Sequence, residues 1–166
     1  MAKSNRRRAG RRVGRTKPRP RAMGVGDRMS RRVTTVRPDV TLRDAAHLMR
    51  ARNIRHLAVV DRARRLVGVV TARDLRQALF SPALLASGAN LAALLDELSV
   101  ADVMIRSVVT VHPRVAIREA ARLMYERRIG ALPVVDKGRL VGILTETDVL
   151  QAFQDMLDDG TAASSR

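Results

Sequence analysis

The chain of 166 residues has no cysteine and no tryptophan, and its aromatic side chains are one tyrosine and two phenylalanines. Without thiols there is neither a disulfide framework nor a thiolate metal site, and a fold that depends on export is disfavoured, so the expected compartment is the cytoplasm. No apolar run approaches the roughly 20 residues that span a bilayer. The basic start is not followed by a signal-peptide apolar core, so membrane insertion is not expected. Catalytic machinery is equally scarce. There is no P-loop, no G-x-G-x-x-G and no G-x-S-x-G, and His47, His56 and His112 lack metal spacing such as H-x-x-x-H. These absences describe a non-enzyme with no catalytic cofactor and no bound metal.

Acidic residues are missing from residues 1–22, where ten of the 32 Lys and Arg lie. The rest of the chain carries the other 22 basic groups and all 16 acidic ones. With Gly10, Gly14, Pro18 and Pro20 and almost nothing apolar, this arm cannot offset the entropy of ordering and is expected to be disordered alone. Arg6, Arg7, Arg8, Arg11, Arg12 and Arg15 could neutralise phosphates and release counterions, giving salt-sensitive binding to RNA, DNA or another polyanion. No aromatic residue is interleaved, so the arm offers no stacking on bases. A solubilising tail, or a start codon placed too far upstream, would look the same.

What the chain has in abundance is repetition. Met29 falls on Met104, Pro38 on Pro113, Met49 on Met124, Ile54 on Ile129 and Asp61 on Asp136, a constant offset of 75 residues. The offset then drops to 74, with Leu66 on Leu140, Gly68 on Gly142, Thr71 on Thr145 and Asp74 on Asp148. One residue has been lost from the turn after the first aspartate, where a change in length costs little. In each copy apolar residues recur at the helical period, at Leu42, Ala45, Ala46 and Met49 and again at Ile117, Ala120, Ala121 and Met124. Two β-branched runs split by a polar turn follow, residues 57–60 with 66–70 and residues 132–135 with 140–144, the pattern of a hairpin. Gly138 suits the second turn, whereas the first has no glycine and is expected to be the looser. Residues 33–36 before Pro38, and 108–111 before Pro113, read as a short strand in each copy.

This order of strand, helix, strand, strand and helix, with Leu-Pro-Val-Val-Asp, Leu-Val-Gly and Thr-x-x-Asp as punctuation, resembles the CBS domain, of which two make a Bateman pair. The resemblance implies an α/β (α+β) fold of two tandem repeats, each a small sheet with helices, packed as a pseudo-symmetric pair. The division expected is a disordered basic arm at 1–22, repeat 1 at 23–80, a linker with a short helix at 81–99, repeat 2 at 100–157 and a disordered tail at 158–166. Each repeat alone is at the size where a core is marginal, so the two should pack together. The linker stripe of Leu91, Leu94, Leu95 and Leu98 is most simply core or dimer contact. The last helix, from 146 to about 157, carries Val149, Leu150, Phe153 and Leu157 on one face, and helices of this kind in the family imply a homodimer.

The Thr-x-x-Asp pairs, Thr71 with Asp74 and Thr145 with Asp148, stand directly before a helix. As a capping box they need no ligand at all. The same geometry suits a nucleotide: the helix start favours phosphate, and the carboxylate can accept from ribose hydroxyls. The resemblance implies that these four residues contact an adenine nucleotide such as AMP, ADP or ATP, or S-adenosylmethionine. It adds Arg55 as a phosphate contact, and by position the strand residues Thr34, Thr35, Val109 and Thr110 as a cleft wall. Arg73 and His56 join the first site, while Ala131 stands where His56 does in the second. Gly130 opposite Arg55, Ala131 opposite His56 and Thr147 opposite Arg73 mean that the first copy supplies cations and the second none, so a di- or triphosphate is expected to favour the cleft of Thr71, Asp74, Arg55 and Arg73, unless the cationic side chains reach across to the other repeat's cleft. Two function classes follow. One is a stand-alone regulatory module that binds an adenine nucleotide and signals to an unidentified partner protein. The other is a dimeric scaffold whose Arg-rich arm binds RNA, DNA or another polyanion.

Overall fold

The amphipathic helix and the hairpin of each repeat form where the sequence puts them. The computed structural model describes residues 23–80 and 90–158, with the backbone of the last helix followed to Ser164. The arginines of the arm and residues 81–89 lie outside the described residues. In chain order the elements are α1 (Val25–Arg28), β1 (Thr35–Val36), α2 (Leu42–Ala51), β2 (His56–Val60), β3 (Leu66–Thr71) and α3 (Ala72–Leu79). Then come α4 (Leu91–Glu97), α5 (Val100–Val103), α6 (Ile117–Arg127), β4 (Ala131–Asp136), β5 (Arg139–Thr145) and α7 (Glu146–Ser164). Helix α2 buries Leu42, Ala45 and Met49, and α6 buries the equivalent Ile117, Ala120 and Met124. Mixed α/β architecture in two tandem repeats is thus what the chain adopts.

The two sheets are less alike than the repeats. β1 pairs parallel with β2, which pairs antiparallel with β3, whereas β4 and β5 stand as a two-stranded hairpin. The expected strand at 108–111 is reduced to one parallel bridge, Val111 to Val134. Pro133 explains the difference: it stands where the first repeat has Ala58, and it has no N–H to give to a further rung. The first hairpin turn closes without a glycine. Asp61 accepts from the Arg65 backbone N–H at 2.9 Å and from its guanidinium Nε at 2.8 Å. Arg64 takes the positive φ, 60°, that Lys137 and Gly138 share in the second turn.

Helix α4 packs three of the four leucines of the linker stripe inward, leaving Leu91 exposed. Asn90 caps it, Leu94 is buried, and Leu95 and Leu98 pack with the first hydrophobic cluster. Arg43 on α2 holds its outer side through Asp96, at 2.5 Å. The backbone of helix α7 runs to Ser164, beyond the 157 at which the sequence suggested that it ends.

The cores are built by exchange. Val25 and Met29, which precede the first repeat's own strand, lie in the cluster of Ile117, Met124, Leu132 and Leu144. Val100 and Met104, from the second repeat, lie in the cluster of Leu42, Met49, Leu57 and Val70. Backbone bonds fix both crossings: Val25 and Gly26 donate to the carbonyls of Val115 and Pro113, and Val100 and Ala101 to those of Val40 and Pro38, all at 2.8–2.9 Å. The chain then forms a two-way bridge, Ser30 with Ile143 and Ile105 with Val69, on the edge of the other repeat's hairpin. Here the glycine of each Leu-Val-Gly is needed for close approach. A Cβ on Gly142 would lie 2.5 Å from the Met29 sulfur, and one on Gly68 2.7 Å from that of Met104.

Gly142→Ala and Gly68→Ala are each expected to destabilise the chain by about 1–3 kcal/mol, the range for overpacking a filled core. Denaturant unfolding checks this, and a midpoint unchanged in both variants would contradict the close packing of the crossed segments.

Candidate functional site

Two clefts open between the repeats, and each takes a helix start from one repeat and a wall from the other. The starts are capping boxes. Thr71 gives both its backbone N–H, at 2.8 Å, and its hydroxyl, at 2.7 Å, to Asp74 Oδ2, and the Asp74 N–H returns to the Thr71 hydroxyl at 3.2 Å. Thr145 and Asp148 repeat this at 2.7, 2.7 and 3.4 Å. In each box the bonds converge on one carboxylate oxygen, leaving Oδ1 to accept from elsewhere. Capping alone accounts for the boxes; what distinguishes them is the space they face.

The first cleft, of about 540 Å³, gathers Thr71, Arg73 and Asp74 at the start of α3 with Ser107, Val108 and Val109 of the opposite wall. Arg55, Arg76, Gln77 and Arg128 also line it, as do Gly130, Ala131 and Glu146. The second, of about 290 Å³, gathers Thr145, Thr147 and Asp148 at the start of α7 with Arg32, Val33 and Thr34, together with Asn53. Arg55 and His56 line both. The wall residues follow from the exchange, because the bridges at Ile105 and Ser30 deliver residues 107–109 to the first repeat's helix start and residues 32–34 to the second's.

Thr35 and Thr110 are not brought into either cleft. Successive strand residues face opposite ways, and Thr35 turns instead to a small hollow of about 130 Å³ with Arg31, Arg64 and Leu140, while Thr110 is exposed. Thr34 and Val109, one residue earlier, face the clefts. Cations do reach across between repeats, since Arg32 and Arg55, both of the first copy, line the second cleft. Arginine still favours the first cleft, where Arg55, Arg73, Arg76 and Arg128 face two carboxylates, Asp74 and Glu146. Sequence reasoning missed Arg76, Arg128 and Arg32. Arg128 matches Asn53 at the 75-residue offset, and both close a helix with positive φ, 53° and 50°.

His56 sits between the clefts at the start of β2. A Cβ on Gly130 would lie 3.2 Å from its Nε2 and 3.4 Å from the Glu146 carboxylate. Gly130 therefore does more than omit a cation; it leaves room for the imidazole of the other repeat. Burial lowers the His56 pKa below its ordinary value, with Arg55 adding to the effect and Glu146 and Asp74 opposing it. The ring is held neutral at pH 7, as a hydrogen-bonding group in a partly dry cleft. Among the described residues no group of His, Asp and Glu is placed to hold a metal ion.

Comparisons with known proteins agree on what this arrangement is. The sequence profile of the CBS domain matches residues 25–81 and 100–155. A CBS domain-containing protein of Dictyostelium discoideum is 37% identical over 131 residues, 78% of this chain and 90% of that one. CBSX2 of Arabidopsis thaliana, solved in complex with AMP, superposes with a TM-score of 0.66 at 33% identity, over 80% of this chain and 97% of that one. A CBS domain pair solved with 5′-methylthioadenosine and S-adenosyl-L-methionine superposes at 0.68 with 28% identity, over 81% and 98%. Other curated relatives are longer: the chain spans 63% of a Methanopyrus kandleri protein and 29% of the inosine-5′-monophosphate dehydrogenase of Thermoplasma acidophilum. In that enzyme the likeness is to the CBS part alone.

The depressed His56 pKa carries a sign for stability. The unfolded chain takes up a proton at this ring near pH 6.5 while the folded chain does not, so the contribution is full above about pH 6.5 and is lost as pH falls. Between pH 7 and 5 the melting temperature of wild type is expected to fall more steeply than that of His56→Gln. Parallel pH profiles would show that His56 stays solvated.

Proposed function

The chain belongs to the CBS domain family, carrying the module twice, and on that footing we propose that it is a non-catalytic regulatory protein whose clefts bind an adenine nucleotide. The candidates are AMP, ADP, ATP and S-adenosylmethionine. One observation carries the reading: Arg55, Arg73, Arg76 and Arg128 line the same cleft as Asp74 and the start of α3, together with a half-buried apolar wall at Val108 and Val109. That is a phosphate site, a ribose acceptor and a base-sized apolar surface in one cavity. Relatives solved with AMP and with S-adenosylmethionine support an adenine-bearing ligand.

The ligand acts by differential contact. Each cleft joins a helix start of one repeat to the wall of the other, so occupancy favours the packing between repeats that closes on it, and a partner protein senses that packing. We assign this work to the cytoplasm, which a chain without cysteine suits; among the described residues no helix is long and apolar enough to cross a membrane. A homodimer through α6 and α7 completes the proposal. A groove of about 660 Å³ there includes Met124, Tyr125, Val149 and Leu150, and Tyr125 is 85% exposed, with Leu150, Phe153 and Met156 also open to solvent. Large exposed apolar patches mark association surfaces.

Thermal melting with AMP, ADP, ATP and S-adenosylmethionine tests the ligand. Binding to the folded state stabilises by about 2.7 kcal/mol at a hundredfold excess over the Kd. Asp74→Ala should lower the unliganded stability by about 1 kcal/mol through the lost cap and also shrink the shift. No shift and no heat of binding with any of the four would end the sensor reading. For the dimer, Leu150→Glu/Phe153→Glu is expected to halve the mass seen by light scattering; a mass equal to wild type removes α7 from the interface.

A further inference from the structure

The two clefts are related by the repeat, yet the chain has one arginine where the symmetry asks for two. Arg55 stands at the divide between β2 and the two cavities and lines both of them. Its main chain is fixed, for its carbonyl accepts from the Ala72 N–H at 3.0 Å, so only the side chain can turn from one cleft to the other. Among the described residues no carboxylate is paired with it. At the matching place stands Gly130, where a Cβ would lie 3.2 Å from His56 Nε2 and 3.4 Å from the Glu146 carboxylate, so the second copy has no arginine there and any side chain would crowd the imidazole.

We propose that Arg55 is a phosphate ligand shared by both clefts, so that a nucleotide polyphosphate in the first withdraws it from the second and the two sites bind with negative coupling. The proposal rests on the adenine-nucleotide reading above. A guanidinium can fork onto one phosphate group at a time. The first cleft keeps Arg73, Arg76 and Arg128 whether or not Arg55 turns toward it, whereas the second is left with Arg32. The second cleft therefore depends more on Arg55. By reciprocity, whatever factor the first ligand imposes on the second, the second imposes on the first. Together the repeats form a graded device, one cleft set for charged nucleotide and the other responsive to it through one side chain.

The experiment is titration calorimetry with ATP on chains in which one cleft is filled sterically. Val109→Trp plugs the first and Thr34→Trp the second, and each is combined with Arg55→Ala. Arg55→Ala is expected to weaken ATP about tenfold in the Val109→Trp chain, the worth of one charge-assisted bond, and about threefold in the Thr34→Trp chain. The second binding step of wild type should be at least about fivefold weaker than the single step of Val109→Trp. Loss of affinity in only one background, or a second wild-type step equal to that single step, overturns the shared arginine and leaves nucleotide binding intact. No ATP heat in wild type overturns both. Should a tryptophan prevent folding, Asp74→Ala and Asp148→Ala weaken binding in the same clefts by removing the ribose acceptor, and the same comparison decides.

Discussion

Reciprocal exchange of two short segments is the constraint on which the molecule depends. Val25 and Met29 complete the second core and Val100 and Met104 the first, and the segments that follow are clamped to the other hairpin at Ile143 and Val69. Everything at the clefts is downstream of that. Had each segment packed on its own repeat, residues 32–34 and 107–109 would lie against their own hairpins, and the helix starts at Thr71 and Thr145 would face nothing. The exchange also fixes two glycines by contact rather than by backbone angle, since neither Gly68 nor Gly142 has a positive φ.

Much of the fold was legible because it is written locally. The periods of α2 and α6, the hairpins, the Thr-x-x-Asp caps and the leucine stripe of α4 are patterns within about a dozen residues, and each became the element it suggested. The crossing was not legible, since contacts between residues 36 to 113 apart in the chain leave no local periodicity. Its one trace was the glycine in each Leu-Val-Gly, which a hairpin strand does not require. Thr35 and Thr110 illustrate a finer limit: in a strand as short as β1 the choice of face is a matter of one residue, and Thr34 and Val109 took the cleft side instead. Arg128 and Arg32 could not be assigned from their own repeat because each serves a helix start in, or reached through, the other.

Small departures from symmetry have large local effects. Pro133 cuts the second sheet to two strands by withholding a single N–H. Gly130 exchanges a cation for the space that His56 occupies. The linker turns one half's surface inward, where α4 lies on α2 and α3, while Tyr125, Leu150 and Phe153 on α6 and α7 remain bare. Similar repeats thus differ in surface character, the first cleft richer in arginine and the second repeat in exposed apolar side chains.

The crossed segments have the geometry of two subunits that have traded an arm. A single repeat expressed alone would lack part of its own core and could regain it by pairing with another copy. Joining two such units in tandem replaces a concentration-dependent encounter by an intramolecular one, with an effective concentration of the millimolar order for a short tether. The pair then holds together at any dilution, and its halves become free to diverge. What an assembly of identical subunits must do twice in the same way, this chain can do once in each of two ways.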